Sequence, residues 1–234
     1  ILILAVVQGI TEWLPISSFG HLVIVEEYLG LEVPLIFNVM LHVGTVFVVL
    51  AVFWRDIVRI IKALVSLDFK TEEGKLALFI AVGSVPTALI GFFFHEIFES
   101  FSHNLLAVGT ALLITGFVLF FSERRKTNRE LSYLDSLLIG AAQGVAITPG
   151  ISRSGVTIAT GLLRRVKKEI VFKYSFLLSV PAVIGATVME SRDLVVGNVD
   201  VFALILGTII SMIVGYISLK FLQKVLMKEK FHLF

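Results

Sequence analysis

The chain has 234 residues, 57% of them hydrophobic and only 16% charged, with mean hydropathy +0.96 and a formal net charge of +2. Soluble domains carry about a quarter charged residues, so this composition points to a single integral membrane domain over 1–234 and away from a soluble enzyme or a nucleic-acid partner. There are no cysteines, which excludes disulfides, iron–sulfur clusters and thiol nucleophiles.

The first residue is Ile1 rather than Met, so a start is expected upstream. In chain order, Ile1–Leu14 and Phe19–Val25 are apolar pieces of roughly half a membrane span, separated by Pro15. Val33–Trp54 is long enough to cross a hydrocarbon core. The basic, amphipathic stretch 55–70 (RDIVRIIKALVSLDFK) reads as an interfacial helix. Leu76–Phe94 and Leu105–Phe121 are two further spans. Leu134–Ile147 and Gly155–Leu163 are again half-spans, broken by Pro149-Gly150, and Ile170–Met189 and Val201–Leu219 are spans. The predicted fold is an all-α polytopic membrane bundle. Gly207, Ser211 and Gly215, every fourth residue, suit close helix approach.

Lys and Arg set the predicted orientation. Connections rich in them follow residue 54 (Arg55, Arg59, Lys62, Lys70, Lys75), residue 121 (Arg124, Arg125, Lys126, Arg129), residue 163 (Arg164, Arg165, Lys167, Lys168) and residue 219 (Lys220, Lys224, Lys228, Lys230). These belong on the cytoplasmic side; 95–104 and 190–200 belong outside. The hairpin 134–163 then enters from the cytoplasm. The first hairpin, flanked by Glu26, Glu27 and Glu32, dips in from outside.

The half-helix hairpins carry a repeated polar motif. QGITEWLPISSFG (Gln8–Gly20) and QGVAITPGISRSG (Gln143–Gly155) match at a constant offset, with Gln8/Gln143, Gly9/Gly144, Ile16/Ile151, Ser17/Ser152 and Gly20/Gly155 identical. Two such elements of opposite orientation form an inverted repeat, about 1–125 and 134–234, with a site expected between the re-entrant hairpins. Three spans follow the first hairpin and two the second, so symmetry predicts a last span after Phe234; an asymmetric natural end is the alternative.

Several motif residues are chemically costly in lipid. Glu12 lies one helical turn after Gln8 in an apolar half-helix, where a charge costs roughly 2.5–3.5 kcal/mol and normally faces a cavity or a partner. Ser17 and Ser18 follow Pro15, with His21 three and four residues on, a spacing that puts imidazole and hydroxyl on one helix face. Arg153, between Ser152 and Ser154, opens another half-helix; its planar fork and the free N–H groups of a helix N-terminus suit phosphate. The bland readings are an interfacial Glu12, helix-capping serines, a hydrogen-bonded core His21 and an Arg153 snorkelling to the headgroups. If both hairpin tips converge, Ser17, Ser18, Ser152, Arg153, Ser154 and Thr157 surround one anion. Hydroxyls, an Arg, a His and a carboxylate suit phosphoryl transfer to or from a lipid. A transporter or flippase for a lipid phosphate or other anion would use similar groups.

These motifs resemble the undecaprenyl-diphosphate phosphatase family, the bacitracin-resistance type of multi-pass membrane enzyme. The likeness rests on Gln8-Gly9-Ile10-Thr11-Glu12, Ser17-Ser18-Phe19-Gly20-His21 and Pro149-Gly150-Ile151-Ser152-Arg153-Ser154-Gly155-Val156-Thr157. The resemblance implies hydrolysis of the terminal phosphate of a polyprenyl diphosphate to the monophosphate carrier and inorganic phosphate, in the cell membrane, from a site facing the outer side. It implies Ser18 as nucleophile, Glu12 and His21 sharing acid/base and positioning work, and Arg153 holding the diphosphate. Gln8, Ser17, Ser152, Ser154 and Thr157 then contribute to substrate binding. Family activity is generally metal-dependent. Gln8 stands where other members have a second Glu, so the expected Mg²⁺ or Ca²⁺ is held largely by substrate, with Glu12 the only strong protein ligand. A homodimer is compatible with this reading, and prenyl chain length is left open.

Overall fold

The structure is a computed structural model that describes residues 2–31, 33–102, 104–123, 127–190 and 200–234. Among these, the chain forms ten α-helices and a closing 3₁₀ turn: α1 (Leu2–Trp13), α2 (Ser18–Leu29), α3 (Leu35–Val52), α4 (Trp54–Val65), α5 (Glu72–Ser102), α6 (Leu105–Ser122), α7 (Tyr133–Val145), α8 (Arg153–Leu163), α9 (Lys168–Glu190), α10 (Val201–Met227) and Phe231–Leu233. Four stretches, Glu72–Phe94, Leu105–Ser122, Lys168–Met189 and Val201–Met227, are long and apolar enough to cross a membrane. A fifth candidate, Ile36–Val52 with Trp54–Val65, is bent by 78°. The protein is a multi-pass membrane bundle.

The bend separates a span from the expected interfacial helix. In α4, Ile60 and Ala63 are buried while Arg55, Arg59 and Lys62 lie on the exposed side, and Lys173 of α9 holds its first turn through Asp56 at 2.7 Å. The helices mostly start where capping chemistry allows. Asn104 caps α6, Asp200 caps α10, and Ser132 with Asp135 forms a capping box on α7. Two elements run longer than apolarity alone predicts. α2 continues through Glu26 and Glu27 until Gly30 (φ 61°) closes it, and α5 passes its internal Pro86 to reach Ser102. The expectations for Glu32, 124–126 and 191–199 lie outside the described residues.

The two hairpins pack reciprocally. Helix α1 lies along α10, and α7 lies along α5. At equivalent motif positions, a Cβ on Gly9 would sit 2.8 Å from the Ser211 carbonyl oxygen of α10, and one on Gly144 would sit 2.8 Å from Ile90 Cβ of α5. Gly207 and Gly215 make the same kind of room for Phe37 and Trp13, the close packing expected of the four-residue stripe. Below the hairpin tips lies an aromatic core. Trp13 meets Phe176 edge-on at 5.4 Å, and Phe172 stands 4.7 Å from Phe176. Phe92, Phe93, Phe117 and Ile217 point outward, as lipid-facing side chains do.

Candidate active site

Pro15 ends α1, and Ser17 turns the chain into α2 within a few residues. Ser17 has φ 68°, a conformation that side chains other than glycine seldom adopt. Its hydroxyl accepts the Gly20 N–H at 3.4 Å as the helix cap. This sharp reversal brings Ser18 back over the end of α1. Its Oγ donates to Glu12 Oε2 at 2.6 Å, and Gln8 Nε2, one turn earlier, donates to the same oxygen at 3.0 Å.

The second hairpin meets the first tip to tip. A Cβ on Gly20 would lie 3.1 Å from Gly150 Cα, and one on Gly155 would lie 3.3 Å from Pro15 Cβ. These contacts are reciprocal, since Gly20 corresponds to Gly155 and Pro15 to Gly150 in the repeat. Gly150 adopts φ 92°, and its carbonyl accepts from Thr115 Oγ1 at 3.1 Å; that hydroxyl in turn accepts the Ser152 N–H at 3.1 Å. Ser154 Oγ reaches the Leu14 carbonyl at 3.3 Å across the junction.

The junction delivers Arg153 to Glu12. Arg153 is the first residue of α8; its Nη2 donates to Glu12 Oε1, and its guanidinium lies 5.4 Å from the centre of the Trp13 ring. Glu12 is only 7% exposed. A lone charge that deep would be costly, and the Arg153 pair, with donors on both carboxylate oxygens, offsets the cost. Arg153 thus turns to a buried carboxylate rather than outward. A row of polar atoms remains unmatched and buried here: Gln8 Oε1, Trp13 Nε1 and Arg153 Nη1.

The other motif residues serve differently. Ser152 caps α8 by accepting the Gly155 N–H at 3.2 Å, as Ser17 caps α2, and its Oγ lies 3.4 Å from that of Ser154. Thr157 donates to the Arg153 carbonyl at 2.8 Å and so steadies the first turn of α8. His21 is hydrogen-bonded at Nδ1 to the Ser17 carbonyl at 2.8 Å, not to Ser18 or Glu12. A carbonyl only accepts, so Nδ1 carries the proton and the neutral ring has its lone pair at Nε2.

One contact falls on a residue that the motifs do not include. His42, in the middle of α3, places Nε2 3.6 Å from Glu12 Oε2, with Nδ1 on the Asn38 carbonyl at 2.9 Å. An ionisable side chain inside a span was signal enough to single it out. Its neighbour in space could not be read from a position 30 residues away.

Chemically, the arrangement is a hydroxyl held on a carboxylate, beside a guanidinium with an unused donor, at the N-terminus of α8. Such a set can take a proton from Ser18 and neutralise an anion arriving next to it.

Comparison with known proteins identifies the family. The family model described as "Bacitracin resistance protein BacA" matches residues 1–234. A Methanosphaera stadtmanae protein named undecaprenyl-diphosphatase is 41% identical over 243 residues, covering 96% of this chain and 88% of its own. Proteins of the same name from Halothermothrix orenii and Carboxydothermus hydrogenoformans are 40% and 41% identical, covering 100% and 98% of this chain and 91% and 88% of their own. With a family match over its whole length and relatives at this identity, the chain belongs to the bacitracin resistance protein BacA family.

Proposed function

We propose that the protein is an integral membrane phosphatase that hydrolyses the terminal phosphate of undecaprenyl diphosphate, giving undecaprenyl phosphate and inorganic phosphate. The substrate follows the name its relatives carry. The turnover recycles a lipid carrier for cell-wall synthesis, and bacitracin resistance in the family's description belongs to the same reading. The observation that carries the chemistry is the Ser18–Glu12 hydrogen bond of 2.6 Å, formed where Arg153 arrives from the opposite hairpin.

In this mechanism Ser18 Oγ attacks the terminal phosphorus and its proton passes to Glu12. The bond to the bridging oxygen breaks, and the lipid monophosphate leaves with its electron pair. Water then cleaves the phosphoserine and restores Ser18. Glu12, rather than His21, is the group in contact with the nucleophile; His21 has its Nε2 lone pair free to assist the water step. Arg153 couples binding to chemistry. On binding, its fork turns to phosphate oxygens while Ser18 stays hydrogen-bonded to Glu12.

A Mg²⁺ or Ca²⁺ ion is part of the proposal. The Glu12 carboxylate and the unpartnered Gln8 Oε1 are the hard oxygen donors that would hold it. Among the described residues no group of three or more His, Asp or Glu is placed to bind a metal unaided, so substrate oxygens would complete the set. Bound there, the cation supplies neutralisation of diphosphate charge. On this reading the protein sits in the cell membrane with its site open to the outer side, because the positive-inside rule assigns the Lys/Arg-rich connections to the cytoplasm and the first hairpin, flanked by Glu26 and Glu27, then enters from outside.

Phosphate release from a polyprenyl diphosphate in detergent, compared with Ser18→Ala and Arg153→Ala, tests the proposal. Hydrolysis by the intact protein that is lost in both variants supports it. Absence of hydrolysis by intact, folded protein overturns it.

A further inference from the structure

The bend between α3 and α4 creates a surface that the chemistry at Ser18 does not use. At 100° per residue, α4 has three faces. Ile60 and Ala63 are buried against the protein, and Asp56, on the same side, accepts from Lys173 Nζ at 2.7 Å. Trp54, Ile61 and Val65 make a second face, apolar and exposed. Arg55, Arg59 and Lys62 make the third, also exposed. A helix turned 78° from its span, with one apolar and one basic face free, suits the membrane interface. Its apolar side then rests on acyl chains and its basic side lies among the headgroups.

On the basic side, where the chain turns from α4 into α5, an open hollow of ≈ 260 Å³ is lined by Arg59, Lys62, Ser66, Asp68, Thr71 and Glu73. That is many times the roughly 10–15 Å³ that admits one water molecule. The two cations come from α4, and the two carboxylates from the connection and the first turn of α5. Gly74 lets the connection fold back, because any Cβ there would collide with the Asp68 carbonyl. Thr71 Oγ1 donates to that carbonyl at 3.0 Å. The charges of the hollow are largely unspent. Arg59 Nη1 and Glu73 Oε1 stand 3.7 Å apart, beyond hydrogen-bond length, and such an exposed pair exchanges readily for a ligand. Among the described residues, Lys62 has no ion-pair partner, and the Asp68 carboxylate accepts only the Lys70 N–H, at 3.2 Å. Val65 and Leu67, on either side of Ser66 in the chain, are 82% and 72% exposed.

We propose that this hollow binds the headgroup of a zwitterionic aminophospholipid, with the phosphodiester on Arg59 and Lys62 and the ammonium on Asp68 and Glu73. Two cations alone would suit any anionic lipid. The opposing carboxylates disfavour a purely anionic headgroup and give a primary ammonium its acceptors. A trimethylated ammonium has no N–H to offer them. The exposed Val65 and Leu67 favour a lipid over a soluble amino phosphate, since they meet the carbons nearest the glycerol. The site is independent of the reaction at Ser18.

The test uses the purified full chain in detergent, with bound lipid counted by native mass spectrometry. The probes are phosphatidylethanolamine, phosphatidylcholine and phosphatidylglycerol of identical acyl chains, with glycerophosphoethanolamine as the chain-free headgroup. One charge contact at a membrane surface corresponds to about fivefold in affinity. Phosphatidylethanolamine should therefore bind about fivefold more tightly than either other lipid, and the chain-free headgroup should not displace it at equal concentration. Lys62→Gln should weaken all three phospholipids about fivefold, and Lys62→Arg should restore them. Asp68→Asn should weaken phosphatidylethanolamine alone. Both side chains are exposed, so unfolding temperatures in lipid-free detergent should match that of the unsubstituted protein. Equal binding of the three lipids overturns the proposal, as does a preference for phosphatidylglycerol. So does a phosphatidylethanolamine preference that survives Asp68→Asn, displacement by the chain-free headgroup, or a fall in unfolding temperature that accounts for the lost binding.

Discussion

Replacing Glu12 by glutamine preserves the shape of the side chain and removes its charge. In the native protein both carboxylate oxygens are used: Oε1 by Arg153, and Oε2 by Ser18 at 2.6 Å and Gln8 at 3.0 Å, with His42 at 3.6 Å. The amide accepts at one atom and presents an N–H₂ at the other, so either Arg153 or Ser18 meets a donor instead of an acceptor. Arg153 then keeps its charge in a place where its side chain is 17% exposed and only the Trp13 face remains beside it. Removing one partner of such a buried pair costs about 3–5 kcal/mol. Losing the general base lowers turnover by about 10²–10⁴-fold. The two effects separate in the double variant Glu12→Gln/Arg153→Met, which removes the stranded charge and should regain most of the stability while staying inactive. Phosphate release from farnesyl diphosphate and thermal unfolding followed by tryptophan fluorescence measure both quantities. A Glu12→Gln protein within twofold of native turnover would refute the base assignment. Unfolding at the native temperature would refute the buried pair.

Four further outcomes are expected. Ser18→Ala should lose at least about 10⁴-fold in kcat with its unfolding temperature little changed, since deleting a nucleophile removes a whole step; retained turnover would point to direct attack by water. His42→Ala should lower kcat/KM by about tenfold or less, because it touches Glu12 at 3.6 Å without a direct hydrogen bond, and an unaltered rate would make that contact incidental. Gly150→Ala should destabilise the protein by roughly 1–3 kcal/mol, since the backbone has φ 92° and the new methyl would stand 2.4 Å from the Val108 carbonyl oxygen; native stability would mean the tip packs differently. Excess chelator should abolish phosphate release and added Mg²⁺ or Ca²⁺ restore it, whereas full activity in chelator would remove the cation from the mechanism.

Much of the fold was legible because lipid imposes few solutions on a chain. Pro15 and Pro149-Gly150 break apolar runs too short to span, and the structure has a half-helix on either side of each break. The two matched motifs foretold that Arg153 and Glu12 share a site, although 141 residues separate them. The role of each hydroxyl was less legible. Ser17 and Ser152 look equivalent to Ser18 and Ser154 in sequence, but only backbone geometry reveals that the first of each pair is used to cap its helix. His21 shares a predicted face with Ser18, yet its ring turns to the Ser17 carbonyl. His42 stands out as an ionisable residue inside an apolar span, but what it faces depends on how α3 is rotated, which is decided by packing against α10, α9 and α1 and leaves little trace in local composition.

The most direct measurement is an experimental structure with a non-hydrolysable prenyl methylenediphosphonate bound. The terminal phosphorus should lie in line with Ser18 Oγ, with Arg153 on both phosphonates and Glu12 still against the serine. A diphosphonate resting among the headgroups, away from Ser18 and Arg153, would contradict the convergence of the two hairpins on one catalytic site.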